Sequence, residues 1–314
     1  MAGRSARTPS GPPAIVRQAL RVVFVLQSSQ RERNMSETGV LDLHALHSND
    51  LQLEHLFMVA QEEGDQVRSA CSRAGIVPGA RVIDIGCGPL GALLELTDIV
   101  GPEGTVVGLD TSAEFLETAR QILAVRGLED RVPLIQADIN SMNVEDLSAL
   151  RPFDAAYLRN VLFHQEDPAQ TLRQAASILS PHGWVLAQEL IDDARYPWFD
   201  PPVPEAEKAM AMFFAALGAW GRSPDVARRM PAVCAEAGLV IVEQRGSMHM
   251  ERSPGLALKI AWNVLSLVRG GFVELGLTSN EEVEEMLAAI DAAQHKEFHG
   301  YLPYLTMQTI ARVA

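Results

Sequence analysis

Cysteine is scarce in this chain of 314 residues: Cys71, Cys87 and Cys234 are its three, far apart and without a C-x-x-C pair. That spacing excludes a disulfide framework and a thiolate zinc site, and it points to a reducing compartment. Positive charge is also short. Against 40 Asp and Glu stand 26 Lys and Arg, a formal net charge of −14, so a phosphate backbone or an anionic bilayer would be repelled overall. Long apolar runs are missing too. The stretch from Ala19 to Leu26 falls well short of a bilayer and is interrupted by Arg21, so no membrane span is expected. His44, His47 and His55 come without a ligand set, and no metal is expected. No polar linker divides residues 75–314, so one α/β domain with helical additions is preferred over the two domains that length alone suggests.

Residues 1–34 have their own composition. Arg4, Arg7, Arg17, Arg21, Arg31 and Arg33 face the single acid Glu32 among Ser, Pro and Gly. Such a bias fits an organelle transit segment, a flexible tail, or an extension ahead of a start at Met35. We expect residues 1–47 to be a tail outside the active site of a cytoplasmic protein, with import through residues 1–34 left open.

What the chain does have is a glycine elbow. Val82, Ile83 and Ile85 form a short β-branched run that reads as a buried strand; Gly86, Gly88 and Gly91 end it, and a helix starts at about Ala92. Strand, glycine turn and helix let a ligand rest against bare backbone at a helix N-terminus. Gly86-x-Gly88-x-x-Gly91 also satisfies the dinucleotide fingerprint, with Asp110 near the distance of a ribose acid. Two neighbours weigh against a diphosphate. Asp84 would repel one from the loop and favour an ammonium or sulfonium, and Pro89 removes a donor that an anion would want.

Downstream, strands alternate with helices. Thr105–Asp110, Val132–Asp138, Phe153–Arg159 and Gly183–Glu189 read as strands, Ala113–Arg126 as a helix capped by Thr111 and Ser112. Helical crossovers demand a mostly parallel sheet, whose ligands bind beyond the carboxyl ends of the strands. Asp84, Asp110, Asp138 and Arg159 all fall near those ends. A helix from Ser48 to about Gly75 precedes this core. After it come helical patterns at 206–220, 224–237 (in two parts, broken by Pro231), 256–267 and 281–293, and strands at 240–244 and 304–313.

With these residues in view, the stretch Asp84-Ile85-Gly86-Cys87-Gly88-Pro89-Leu90-Gly91 resembles motif I of the class I S-adenosylmethionine-dependent methyltransferases. The third glycine is displaced to Gly91. Residues 154–164, with the Asp-Pro pair at 167–168, resemble the family's fourth motif. The resemblance implies a Rossmann-like seven-stranded sheet with helices on both faces and an antiparallel last strand. Helical lid insertions are expected near 192–224 and 252–300 of a domain spanning 48–314. It implies S-adenosyl-L-methionine as cofactor: Asp84, Gly86, Cys87 and Gly88 around the methionine end, Asp110 on the ribose hydroxyls and Thr111 beside the adenosine. Asp138 would accept from the adenine amine, Ile139 pack on the ring, and the Arg159 carbonyl face the ammonium. Cys87 is expected as a small loop residue rather than a nucleophile.

His164 is the candidate base, since an imidazole suits proton removal from an acceptor; packing competes with that role. Tyr196, Trp198, Phe199, Met210, Met212, Phe213, Phe214 and Trp220 are candidates for an apolar lid over the acceptor, or for helix packing. The expected activity is methyl transfer to an O, N or C nucleophile of a small apolar or aromatic acceptor. The alternatives are an NAD(P)-dependent oxidoreductase and a cofactor-binding protein without transfer.

Overall fold

Apolar β-branched runs form the centre of the sheet. Val82, Ile83 and Ile85 of β1 (Arg81–Ile85) are buried on both faces, as strands covered by helices on two sides must be. The computed structural model describes residues 48–193, 197–248, 255–302 and 305–313; the expected tail, His44, His47 and Tyr196 lie outside the described residues. From β1 the chain runs through α2 (Leu93–Val100), β2 (Thr105–Asp110), α3 (Ala113–Val125), β3 (Leu134–Gln136), β4 (Phe153–Arg159), α4 (Pro168–Ser177) and β5 (Leu179–Leu190). These five strands pair in parallel. The order is β3-β2-β1-β4-β5-β9-β7, where β7 is Leu239–Met248 and β9 is Leu305–Val313, and β9 runs antiparallel to both neighbours. This is the seven-stranded Rossmann-like sheet the motifs imply. Strand order reverses between β1 and β4, which places a crevice at their carboxyl ends.

One apolar cluster fills each face of the sheet. Val67 and Cys71 of α1 (Ser48–Ala74) join Leu93, Leu96, Leu116 and Tyr157 on one side. Leu172, Val226, Met230 and Val233 join Ile83, Leu109 and Leu158 on the other. Two boundaries depart from expectation. Pro231 does not split its segment: α6 (Val226–Glu236) runs through it. Burial of Val226, Met230, Val233 and Cys234 outweighs the backbone bond that proline forfeits. The third strand is only Leu134–Gln136, because Val132 pairs with no neighbour and instead hydrogen-bonds Leu128 in a turn.

The segments expected as insertions form a unit with its own core. Helices α5 (Pro204–Ala219), α7 (Gly255–Glu274) and α8 (Asn280–Ala293) bury Met210, Leu258, Leu265, Met286 and Ile290 against one another, with Leu51 of α1. An antiparallel ribbon of β6 (Trp198–Asp200) and β8 (Gly300–Leu302), which the residue pattern did not suggest, ties the two segments together. No helix among the described residues is long and apolar enough to cross a membrane.

Candidate active site

The glycine loop is held by β2. Gly86 N–H and Cys87 N–H both donate to the Leu109 carbonyl, at 2.7 and 3.0 Å. Each glycine has positive φ, for different reasons. A side chain on Gly86 would strike the Val161 methyl groups, and one on Gly91 would strike the Cys87 carbonyl and the Asp84 carboxylate, whereas Gly88 faces open space. The displaced third glycine is therefore required where it stands. Asp84 lies beneath the loop, 1% exposed. Its Oδ2 accepts from Ala92 N–H at 2.9 Å and so caps the start of α2. Burial raises its pKa to about 7, against the pull of the Ala92 bond and the Arg159 charge. The expectation of a carboxylate at the loop entrance is thus corrected: with its side chain packed under the turn, Asp84 shapes the loop. Cys87 turns its thiol into the core beside Gly108 and Leu93, and burial pushes the thiol pKa far up.

Asp110 closes β2 at the crevice. Its two oxygens accept from Gly88 N–H at 2.7 Å and Ser112 N–H at 2.8 Å, which ties loop, strand and helix into one edge. Ser112 alone caps α3, accepting from Phe115 N–H. Thr111 is exposed and offers its carbonyl to Gln136, so the expected shared cap is not formed. Asp138 is exposed and accepts from Asn140 N–H, while Ile139 is buried in the sheet core. Asn140 locks this loop to the next one through Gln165 and Thr171.

At the end of β4, Arg159 is buried. Its guanidinium donates to the Gly91 carbonyl at 2.6 Å and sits 3.4 Å from Glu63 of α1. Asn160 follows with φ 55°, and its side-chain oxygen is buried without a partner. Glu189, near the end of β5, accepts from three consecutive backbone N–H groups, Val161, Leu162 and Phe163, at 3.1, 2.9 and 3.2 Å. It thereby sets the turn that carries His164. Glu63, Asn160 and Glu189 were missed as site residues. Glu189 had a signal, an acid closing an apolar strand as Asp110 does; Glu63 had none among the acids of a helix.

His164 is exposed and packs one face of its ring on Phe163, with ring centroids 4.0 Å apart. Desolvation by that packing, with the Arg222 charge, lowers its pKa to about 4. The imidazole is neutral at pH 7 and weakly basic. Of the candidate lid residues, Phe199, Met210 and Met212 are interior to the helical unit. Trp220 is 41% exposed and lies against Gly271. Phe213 and Phe214 bridge the helical unit and the sheet core, and Phe213 meets Phe163 edge-on at 6.3 Å. The Trp198 side chain lies outside the described residues.

A glycine loop at the reversal of a 3-2-1-4-5-7-6 sheet with one antiparallel strand defines the class I methyltransferase fold. Comparison with known proteins agrees. Residues 76–216 match the family model of the methyltransferase domain. The ubiquinone biosynthesis O-methyltransferase of Bordetella pertussis is 35% identical over 119 residues, 37% of this chain and 45% of that one. A Galdieria sulphuraria protein assigned as a sarcosine dimethylglycine methyltransferase superposes with a TM-score of 0.50 at 12% identity, over 81% of this chain and 86% of its own. Geranyl diphosphate methyltransferase, in complex with S-adenosylmethionine, superposes with a TM-score of 0.50 at 14% identity, over 83% and 90%. The chain spans 30% to 50% of the length of the curated relatives it matches. Residues 76–216 are therefore read as a methyltransferase domain on a class I fold.

Proposed function

We propose that the chain transfers the methyl group of S-adenosylmethionine to an O, N or C nucleophile of a small, largely apolar or aromatic organic acceptor. The observation that carries this reading is the edge formed by Gly88 and Asp110. A glycine open on its ligand side sits 2.7 Å from a carboxylate that still has lone pairs to accept from ribose hydroxyls. The unpaired Asn160 oxygen, next to the Arg159 carbonyl, fits an ammonium donor at the methionine end. Asp138 and Ile139 would take the adenine, and Thr111 would stand beside it.

The bound cofactor supplies an already activated methyl group on its sulfonium. The protein's part is then to hold the acceptor in line with it, at roughly 3 Å. Glu189 holds the backbone of residues 161–163 just beyond the end of β4, and Phe163 there packs on His164 and meets Phe213 edge-on.

Calorimetry with S-adenosylhomocysteine and NADH tests the cofactor: only the former should bind, and tight NADH binding would turn the reading toward an oxidoreductase. Incubation with methyl-labelled cofactor and a metabolite extract tests the chemistry, since a binder without transfer releases no S-adenosylhomocysteine. His164→Gln should keep most of the turnover at unchanged cofactor affinity. A loss of about 100-fold, the scale of a missing general base, would make His164 catalytic.

A further inference from the structure

Six large apolar side chains are exposed among the described residues, and three of them, Val240, Val242 and Met248, stand on β7 at 50%, 54% and 59% exposure. The others, Val77, Val125 and Trp220, lie on separate segments, and a single exposed apolar residue is ordinary. β7 is also the rim of the sheet. It pairs with β9 on one side, and no described strand pairs with the other. An edge of ten residues, with its row of outward backbone groups, is a template for a further strand. Edges that must stay free are commonly short or carry proline or lysine; residues 239–248 hold neither. A bulge interrupts the strand at Val242, where the register against β9 shifts between Ile241 and Glu243.

The residues of this rim complement one another. Glu243 and Arg245 share a face of the sheet: Arg245 Nε lies 2.7 Å from Glu243 Oε1, and Arg245 is exposed. They flank Gln244. Directly opposed residues of an antiparallel pair carry their side chains on the same face, within reach of one another. Pairing β7 with a second β7 about a two-fold axis at Gln244 therefore sets Glu243 of each copy against Arg245 of the other. A parallel arrangement in register would instead set like charge against like. In the antiparallel register Val242 stands across from Gly246, which is exposed and where an added Cβ would meet nothing within 4 Å. The bulged valine of the second copy thus has room. Val240 and Met248 occupy opposite ends of the strand, and antiparallel pairing brings one of each together at either end.

We propose that the rim of β7 joins two copies of this chain, antiparallel about Gln244, into one continuous sheet. Such an interface is isologous, each copy offering the same patch. The order acid, amide, base supplies that symmetry, which an unrelated strand would not need. β5 and β9 separate β7 from β4, so the joined sheet leaves the crevice of each copy open. The assignment is independent of the methyl-transfer reading.

Light scattering on the whole chain across a concentration series tests it. Two strands joined at an edge bury less than a standard interface, so the mass should rise from one copy toward two between about 1 and about 100 μM. Arg245→Glu, which sets carboxylate against carboxylate, should weaken the dimer about tenfold or more, and so should Val242→Lys, an edge lysine of the kind that keeps strands apart. Both positions are exposed, so the dilute variants should melt at the wild-type temperature. Glu243→Lys should dissociate as well, and an equimolar mixture of Glu243→Lys with Arg245→Glu should recover the dimer, because each charge then meets its opposite in the other copy. Glu243 also pairs with Arg73 of α1 at 2.6 Å; should Glu243→Lys fail to fold, Arg245→Glu and Val242→Lys decide. A mass of one copy at every concentration, a dimer that neither of those two weakens, or a mixture of folded variants that stays monomeric would each overturn the assignment. So would protection from hydrogen exchange, in the dilute protein, of β7 amides not bonded to β9, the result if another segment of the chain already covers the rim.

Discussion

Gly88 and Gly91 share a backbone conformation, with φ of 56° and 52°, but differ in what a methyl group would meet. At Gly91 it would lie 2.3 Å from the Cys87 carbonyl and 2.6 Å from the Asp84 carboxylate; at Gly88 it would meet nothing within 4 Å. Gly91→Ala should therefore cost about 2–5 kcal/mol, a left-handed-backbone penalty plus overpacking. Gly88→Ala should cost only the backbone part, roughly 1 kcal/mol, while placing its methyl where a bound nucleoside would rest. Urea melts paired with S-adenosylhomocysteine titration separate the two: the first variant loses stability, the second affinity. Equal stability loss would mean the loop is packed differently. Asp110→Ala should weaken S-adenosylhomocysteine roughly 10–100-fold, the equivalent of about 1.5–3 kcal/mol of bonding to a charged acceptor. Unchanged affinity would take the ribose away from Asp110.

At the scale of elements, the parallel strands were legible because both faces are buried, so β1, β2 and β4 read as continuous apolar runs ending in a polar residue. The ribbon of β6 and β8 was not legible: three residues on each side carry no periodicity, and only their pairing across about 100 residues makes them strands. The site divides the same way. Asp110 is a strand-end acid and was readable, whereas the inward turn of Asp84 depends on the third dimension and was not. Glu189 shows what such burial does to an element. Desolvation, with the Glu63 charge adding to it, raises its pKa to about 8 against the pull of three backbone N–H groups. An unfolded glutamate releases its proton near about 4.3. Between those values the native state binds more protons than the unfolded chain, so this group's contribution to stability falls as pH rises. Asp84, with a pKa of about 7, acts with the same sign. The urea midpoint of the wild type should decline from pH 5 to pH 8, and Glu189→Gln should decline less steeply while losing some midpoint at pH 5, because an amide cannot accept from all three donors. Parallel pH curves for the two proteins would rule out a raised Glu189 pKa.

For the molecule as a whole, the relevant fact is that two cores meet at one crevice. The helical cluster and the sheet cluster that holds Leu172 and Met230 share Phe213 and Phe214, and α1 joins the helical core at Leu51 to the opposite sheet cluster at Val67 and Cys71. The Glu63–Arg159 pair ties the same helix to the loop end of β4. A nucleoside bound between β1, β2 and β4 would contact the Gly91, Arg159 and Asn160 region on which that tie depends. Ligand binding should then stabilise the native state by mass action, about 2.7 kcal/mol at a hundredfold excess over Kd. For a chain above 250 residues that corresponds to a few degrees in melting temperature. In a thermal scan, S-adenosylhomocysteine should raise the transition by that amount and NADH should leave it in place. Glu63→Ala removes one partner of a buried pair and should lower the ligand-free transition, by the scale of about 3–5 kcal/mol. If α1 is a working part of the crevice, the same variant should also lose part of the ligand-induced rise. A variant that melts lower yet keeps the full rise would show that α1 only braces the fold, with the cofactor held by the sheet loops alone.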